Sequence, residues 1–139
     1  MARSHFQILA VQRDLARIAG SVEAFCGANQ LPQATCNLMN LALDEVLSNI
    51  VKYAYNSPDT GTIDVELTYS NNKLMASIED RGVAFNPLGL QMPANTGPLQ
   101  SRKAGGLGIF FVKSLMDSVV YERVGNRNKV TVTIRVPSE

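Results

Sequence analysis

The sequence predicts one α/β domain of the α+β, two-layer sandwich kind, with helices packed on a single sheet. Three observations point there. Two long stretches carry apolar residues at helical spacing, and they are followed by two pairs of short alternating segments, each pair joined by a turn. The 139 residues, 45% of them apolar, suffice for one hydrophobic core without metals or disulfides. No internal repeat or low-complexity tract divides the chain, so residues 1–139 read as a single domain.

The elements follow in order. Residues 5–11 are short and partly apolar and read as a strand. Across 12–28, Leu15, Ile18, Ala19, Val22 and Phe25 recur at helical spacing. Residues 29–32 break that helix, and Pro32 stands where a new helix tolerates proline. From 33 to about 55, Leu38, Met39, Ala42, Leu43, Val46, Leu47, Ile50 and Ala54 cover a broad face suited to packing on a sheet, and residues 56–59 end the helix. Residues 62–69 and 74–79 alternate around Asn71-Asn72 and read as a hairpin. Periodicity then collapses. Residues 86–104 hold Pro87, Gly89, Pro93, Gly97 and Pro98, a long connection of the sort kept as a functional lid. Residues 105–117 are helical again, and 119–123 with 129–136 form a second hairpin around Gly125-Asn126.

Composition removes several function classes. With 13 basic against 12 acidic side chains, scattered along the chain, there is no basic field for nucleic-acid binding. No run approaches the roughly 20 apolar residues of a membrane span, and the first residues lack a signal-peptide pattern, so the expected address is cytoplasmic. Cys26 and Cys36 lack Cys-x-x-Cys spacing and read as reduced structural thiols. The single histidine, His5, excludes a multi-histidine metal centre.

Three local patterns carry chemistry. Glu45 and Asn49 are four apart on the second helix and leave the same face, where an otherwise apolar series is interrupted. They read either as a solvated helix edge or as a functional pair. In the second case Asn49 gives a neutral oxygen to Mg²⁺ and Glu45 takes a proton. The segment Asp80-Arg81-Gly82-Val83-Ala84-Phe85-Asn86-Pro87 directly follows a strand. Asp80 can accept a hydrogen bond from an exocyclic amine such as that of adenine, with Gly82 letting the backbone approach a flat ring; the other reading is a plain Asp-x-Gly turn. Gly105-Gly106-Leu107-Gly108 opens the last helix although glycine disfavours helices by roughly 1 kcal/mol each. Either close helix–sheet packing requires them, or free N–H groups and the helix dipole cradle phosphate. Neither a Walker nor a Rossmann glycine motif is present.

In their order, these segments resemble the GHKL ATPase superfamily with its Bergerat fold, and within it the anti-sigma factor serine kinases of the RsbW type. Residues 41–49 look like the N box of that family, Asp80 to Pro87 like its first glycine box, and Gly105 to Ile109 with Tyr121-Glu122-Arg123 like the second box and its sequel. The resemblance implies a mixed, mostly antiparallel sheet covered on one face by about three helices, with an ATP lid at about 86–104. It implies Glu45 as catalytic base and Asn49 as Mg²⁺ ligand. Asp80 with Gly82 would meet the adenine, Gly105, Gly106 and Gly108 with the basic Lys103 would lie along the phosphates, and Phe85 and Leu107 would also bind the nucleotide. Tyr53 stands where many relatives have His, and Ala84 where some have Gly. Arg102 is a further basic residue near the phosphates; Arg13 and Arg17 are partner contacts or a solvated face.

The activity implied is phosphoryl transfer from ATP, leaving ADP, to a serine of an anti-sigma factor antagonist of the STAS type. The same protein would sequester a sigma factor, act as a homodimer, and touch neither nucleic acid nor membrane directly. The rival from another class is a nucleotide-binding sequestering module without turnover, which keeps Asp80 and the glycines but has no need of Glu45. Two further rivals are the ATP-binding half of a histidine kinase and a dimer-clamping ATPase.

Overall fold

The computed structural model describes residues 1–53, 61–84, 86, 88 and 112–137. Strand β1 (Ala2–Leu9) leads into a 3-10 turn (Gln12–Leu15) and helix α1 (Ala16–Ala28), followed by α2 (Gln33–Tyr53). Strands β2 (Thr62–Ser70), β3 (Lys73–Asp80), β4 (Ser118–Val124) and β5 (Arg127–Arg135) complete the sheet. Residues 112–115, from the last predicted helix, are helical, but the helix ends there and 116–117 form a bend leading into β4; residues 105–111 lie outside the described residues.

The strand order is β1-β2-β3-β5-β4. Every described pairing is antiparallel, in keeping with the expected mostly antiparallel sheet, and no parallel pair occurs among the described strands. β5 inserts between β3 and its own hairpin partner β4, so the C-terminal end of β3 meets the first residues of β5, with Asp80 opposite Asn128. That meeting point positions the candidate site.

β1 begins three residues earlier than its apolar signal, because Ala2 pairs with Tyr69 and the small, half-buried Ala2 and Ser4 occupy inward positions without announcing them. The helix expected from residue 12 starts as a 3-10 turn instead. Asp14 reaches back to accept the Leu9 N–H at 2.9 Å and holds the turn against the end of β1. The break between the helices is a Schellman ending. The Leu31 N–H bonds the Cys26 carbonyl at 2.9 Å and the Gln30 N–H bonds that of Gly27 at 3.2 Å, with Gln30 in the left-handed region at φ 56°.

Both hairpin turns match their residues. Asn71 (φ 53°) and Asn72 (φ 61°) are both left-handed, as a type I′ turn requires, and Gly125 (φ 61°) takes the first central position of the second turn. Strand alternation sends Ile63, Val65, Leu67, Leu74, Ala76, Ile78, Val130, Val132 and Ile134 to one face. There they form one cluster with Ile18, Val22 and Phe25 of α1 and with Met39, Leu43, Val46, Leu47 and Ile50 of α2. Val112 and Met116 join the same cluster. The sheet is therefore covered by helices on one side, and burying these side chains is the main force holding the two layers together. The other face is polar, with Arg127 paired to Glu79 at 2.7 Å and His5 to Asp64 at 3.3 Å.

Candidate active site

Asp80 is the last residue of β3 and continues its inward series after Ile78, which places a carboxylate at the edge of the core, only 2% exposed. One of its oxygens has work within the chain. Oδ1 accepts the Gly82 N–H at 2.8 Å and the Asn128 Nδ2 at 3.0 Å. The Asp-x-Gly turn is thus real, yet it uses half of the carboxylate. Oδ2 is buried with no hydrogen-bond partner among the described residues. A buried acceptor left unmatched costs roughly 1–3 kcal/mol, so native structures seldom keep one without a purpose. An exocyclic amine of a bound base suits this oxygen, and the residues present therefore fit an adenine nucleotide.

The turn is held by Asn128, Tyr121 and Arg123, none of which is among the expected site residues. Asn128, 1% exposed, donates from Nδ2 to Asp80 and to the Val83 carbonyl at 2.9 Å. Its Oδ1 accepts the Tyr121 hydroxyl at 2.6 Å and Arg123 Nη1 at 3.1 Å. Arg123 Nη1 also donates to the Gly82 carbonyl at 3.0 Å. A signal existed: the inward series of β5 runs Asn128, Val130, Val132, Ile134, and a polar residue opens it.

Helix α2 places Asn49 wholly inside, at 0% exposure, while Glu45 one turn earlier is half-buried and Asp44 beside it is exposed. A solvated helix edge does not describe this pair. Burial raises the Glu45 pKa above the ordinary carboxylate value; the negative charge of Asp44 adds to the rise and Lys52 opposes it. The carboxylate is thereby made a better proton acceptor. No cluster of three or more His, Cys, Asp or Glu side chains able to hold a metal occurs among the described residues. Mg²⁺ does not need one: it accepts one or two protein oxygens and completes its shell with phosphate and water, which fits the single amide oxygen of Asn49.

Phe85, Lys103, Gly105, Gly106, Leu107 and Gly108 lie outside the described residues, as do Arg102 and all of the predicted lid except Asn86 and Leu88. Asn86 Oδ1 accepts the Leu88 N–H at 2.8 Å and Leu88 is buried, so the segment after the turn starts against the core. Arg13 and Arg17 are exposed, and Arg17 lies 3.8 Å from Asp14. Cys26 and Cys36 are buried and free, with the Cys36 thiol donating to Glu23 at 3.0 Å. No helix among the described residues is long and apolar enough to cross a membrane.

Comparison with known proteins gives a consistent likeness. A family model described as a histidine kinase-like ATPase domain matches residues 8–134. The serine/threonine-protein kinase BtrW of Bordetella bronchiseptica is 27% identical over 95 residues, 68% of this chain and 67% of that protein. The serine-protein kinase RsbW of Listeria monocytogenes is 32% identical over 85 residues, 58% of this chain and 54% of that protein. The matched segments thus span about half to two thirds of those relatives. Among solved structures, the RsbU and RsbW domains of a Mycobacterium tuberculosis protein superpose with a TM-score of 0.70 at 15% identity, covering 98% of this chain and 33% of that one. The last likeness is one of fold.

Proposed function

The chain belongs to the histidine kinase-like ATPase domain family, and from that premise we propose that it is a protein serine kinase that transfers the γ-phosphoryl group of ATP to a small regulatory protein. The acceptor is an anti-sigma factor antagonist of the STAS type. In its unphosphorylated form the antagonist competes with a sigma factor for this chain, and phosphorylation releases it. The names of the BtrW and RsbW relatives support the reaction class.

One observation carries the reading: the half-buried Glu45 carboxylate, made more basic by its surroundings, sits one turn from the fully buried Asn49. In the step, the serine oxygen bonds to the γ-phosphorus, the bond from that phosphorus to the β–γ bridging oxygen breaks, ADP leaves, and the hydroxyl proton passes to Glu45. Asp80 and the turn through Gly82 orient the adenine. Gly105, Gly106, Leu107, Gly108 and Lys103 accompany the phosphates, and Phe85 flanks the base. Asn49 would hold Mg²⁺, which when bound supplies neutralisation of phosphate charge. Positioning and electrostatics are the chief catalytic means in such transfers.

The test is incubation of the purified protein with γ-labelled ATP, Mg²⁺ and a cognate STAS protein. Label appearing on an antagonist serine, and lost with Glu45→Ala while nucleotide affinity stays within a few fold, supports the proposal. Nucleotide-dependent binding of the antagonist without any transfer of label overturns the kinase reading in favour of a sequestering module.

A further inference from the structure

The Asn128 amide makes hydrogen bonds within the protein from both of its ends: Nδ2 donates to Asp80 Oδ1 and the Val83 carbonyl, and Oδ1 accepts from the Tyr121 hydroxyl and Arg123. We infer that Asn128, braced by Tyr121 and Arg123 of the edge strand β4, is a positioning residue that sets the purine preference of the pocket. The inference rests on the nucleotide reading above and adds to it a determinant outside the segments singled out for base contact.

The orientation of the Asn128 amide is fixed by its partners. Turning it over would bring Oδ1 against two acceptors, Asp80 Oδ1 and the Val83 carbonyl, and its NH₂ group against a guanidinium, which has no acceptor. The amide is therefore locked in one sense. With Nδ2 on Oδ1, and the Gly82 N–H on the same atom, the Asp80 carboxylate cannot rotate without breaking two bonds. Oδ2 is the oxygen left over, and it is buried.

Arg123 fixes the other half of the turn. Its Nη1 bridges the Asn128 amide oxygen, 3.1 Å away, and the Gly82 carbonyl, 3.0 Å away. Gly82 is thus held by its N–H through Asp80 and by its carbonyl through Arg123. The oxygen presented accepts a hydrogen bond from the 6-amino group of adenine. Against the 6-oxo group of guanine it meets another acceptor, a contact that is unfavourable in a buried place. A carboxylate free to turn, or to move away with its turn, would discriminate less. Tyr121 and Arg123 contribute from β4, about forty residues beyond the turn they steady.

The test is calorimetric titration of MgATP and MgGTP into the unchanged protein and into Tyr121→Phe, Arg123→Met and Asn128→Asp, with thermal unfolding of each in the absence of nucleotide. Asn128→Asp puts an oxygen where Nδ2 was and sets it against Asp80. Its expected effect is a loss of about tenfold or more in ATP affinity and a fall of similar size in the ATP-to-GTP ratio. Tyr121→Phe and Arg123→Met keep the ring and the exposed stem, so they remain testable should Asn128→Asp fail to fold; a fall of about threefold in the ratio is expected of each. Folded variants that retain the unchanged protein's ratio, or lose both nucleotides equally, overturn the inference while leaving ATP binding intact as a reading. An unchanged protein that binds neither nucleotide overturns both.

Discussion

Asn128 and Asp80 face each other at one register position of β5 and β3, and the amide donates across 3.0 Å to Oδ1, leaving Oδ2 as the buried oxygen without a partner among the described residues. The pairing is what converts an ordinary Asp-x-Gly turn into an oriented acceptor. Two strands far apart in sequence build it, and the inserted position of β5 makes it possible.

Asp80→Asn tests that acceptor directly. An asparagine has one carbonyl oxygen, but the site asks for acceptors on both sides: toward the Gly82 N–H and Asn128 Nδ2 on one, and toward the base amine on the other. Either the turn or the base loses its partner. The expected result is a drop of roughly tenfold to a hundredfold in ATP affinity, the equivalent of about 1.5–3 kcal/mol for a hydrogen bond to a charged group. Titration of ATP and GTP side by side should also show the preference for ATP reduced; equal affinities for ATP and GTP in the unchanged protein would count against the assignment.

Glu45→Gln separates chemistry from stability. Phosphoryl transfer should vanish while nucleotide still binds, and in the unchanged protein the acid limb of the rate profile should lie above the ordinary carboxylate range, because burial and Asp44 raise the Glu45 pKa. The same shift has a sign for folding. A raised folded value means that the native state holds the proton more tightly than the unfolded chain. The contribution of Glu45 to stability is therefore greatest in acid and is lost as pH rises from the ordinary glutamate value of 4.5 through the folded value. Gln cannot ionise, so the nucleotide-free variant should melt above the unchanged protein at neutral pH, the gap closing as pH falls below 4.5. A gap independent of pH would remove the buried-carboxylate argument.

What could be read from the sequence divides along physical lines. Alternation in Ile63, Val65, Leu67 and in Leu74, Ala76, Ile78, with two asparagines able to turn left-handed between the strands, is local information, and the first hairpin forms as expected. The placement of Glu45 and Asn49 one turn apart on α2 is likewise local, because a helix converts spacing directly into a shared face. The start of β1 was hidden because Ser4 and Ala2 fill inward positions without apolar signal. The role of Asn128 was hidden for a different reason. Its meaning depends on which strand β5 lies beside, and strand order is a long-range property that alternation does not encode.

Asn49→Ala should remove the part of ATP affinity that depends on Mg²⁺ and spare the rest. The side chain is wholly enclosed, and Mg²⁺ held mainly by phosphate and water needs only one or two protein oxygens to fix its place. Titration of ATP with Mg²⁺ and with a chelator should give two affinities for the unchanged protein and nearly one for the variant. Should the variant respond to Mg²⁺ as the unchanged protein does, Asn49 is not a ligand.

The two thiols should be chemically quiet in the folded chain. Burial raises the pKa of both Cys26 and Cys36, and the Glu23 carboxylate accepting the Cys36 thiol at 3.0 Å raises that one further. The thiolate is the reactive form, so both should react slowly with a colorimetric thiol reagent at pH 8 and promptly in denaturant. Rapid native-state labelling at either position would contradict the burial.

Gln30→Gly is the substitution expected to stabilise. Gln30 ends α1 in the left-handed region at φ 56°, where its Cβ crowds the following carbonyl; for a residue other than glycine this conformation costs roughly 1–2 kcal/mol. Only its backbone is used there: the N–H bonds the Gly27 carbonyl at 3.2 Å, and the side chain is exposed. Glycine relieves the strain but loses more freedom on folding, which offsets part of the gain. The net expectation is about 0.5–1 kcal/mol, read as a higher denaturant midpoint with an unchanged slope. A midpoint that falls would mean that the Gln30 side chain contributes something the Schellman ending alone does not.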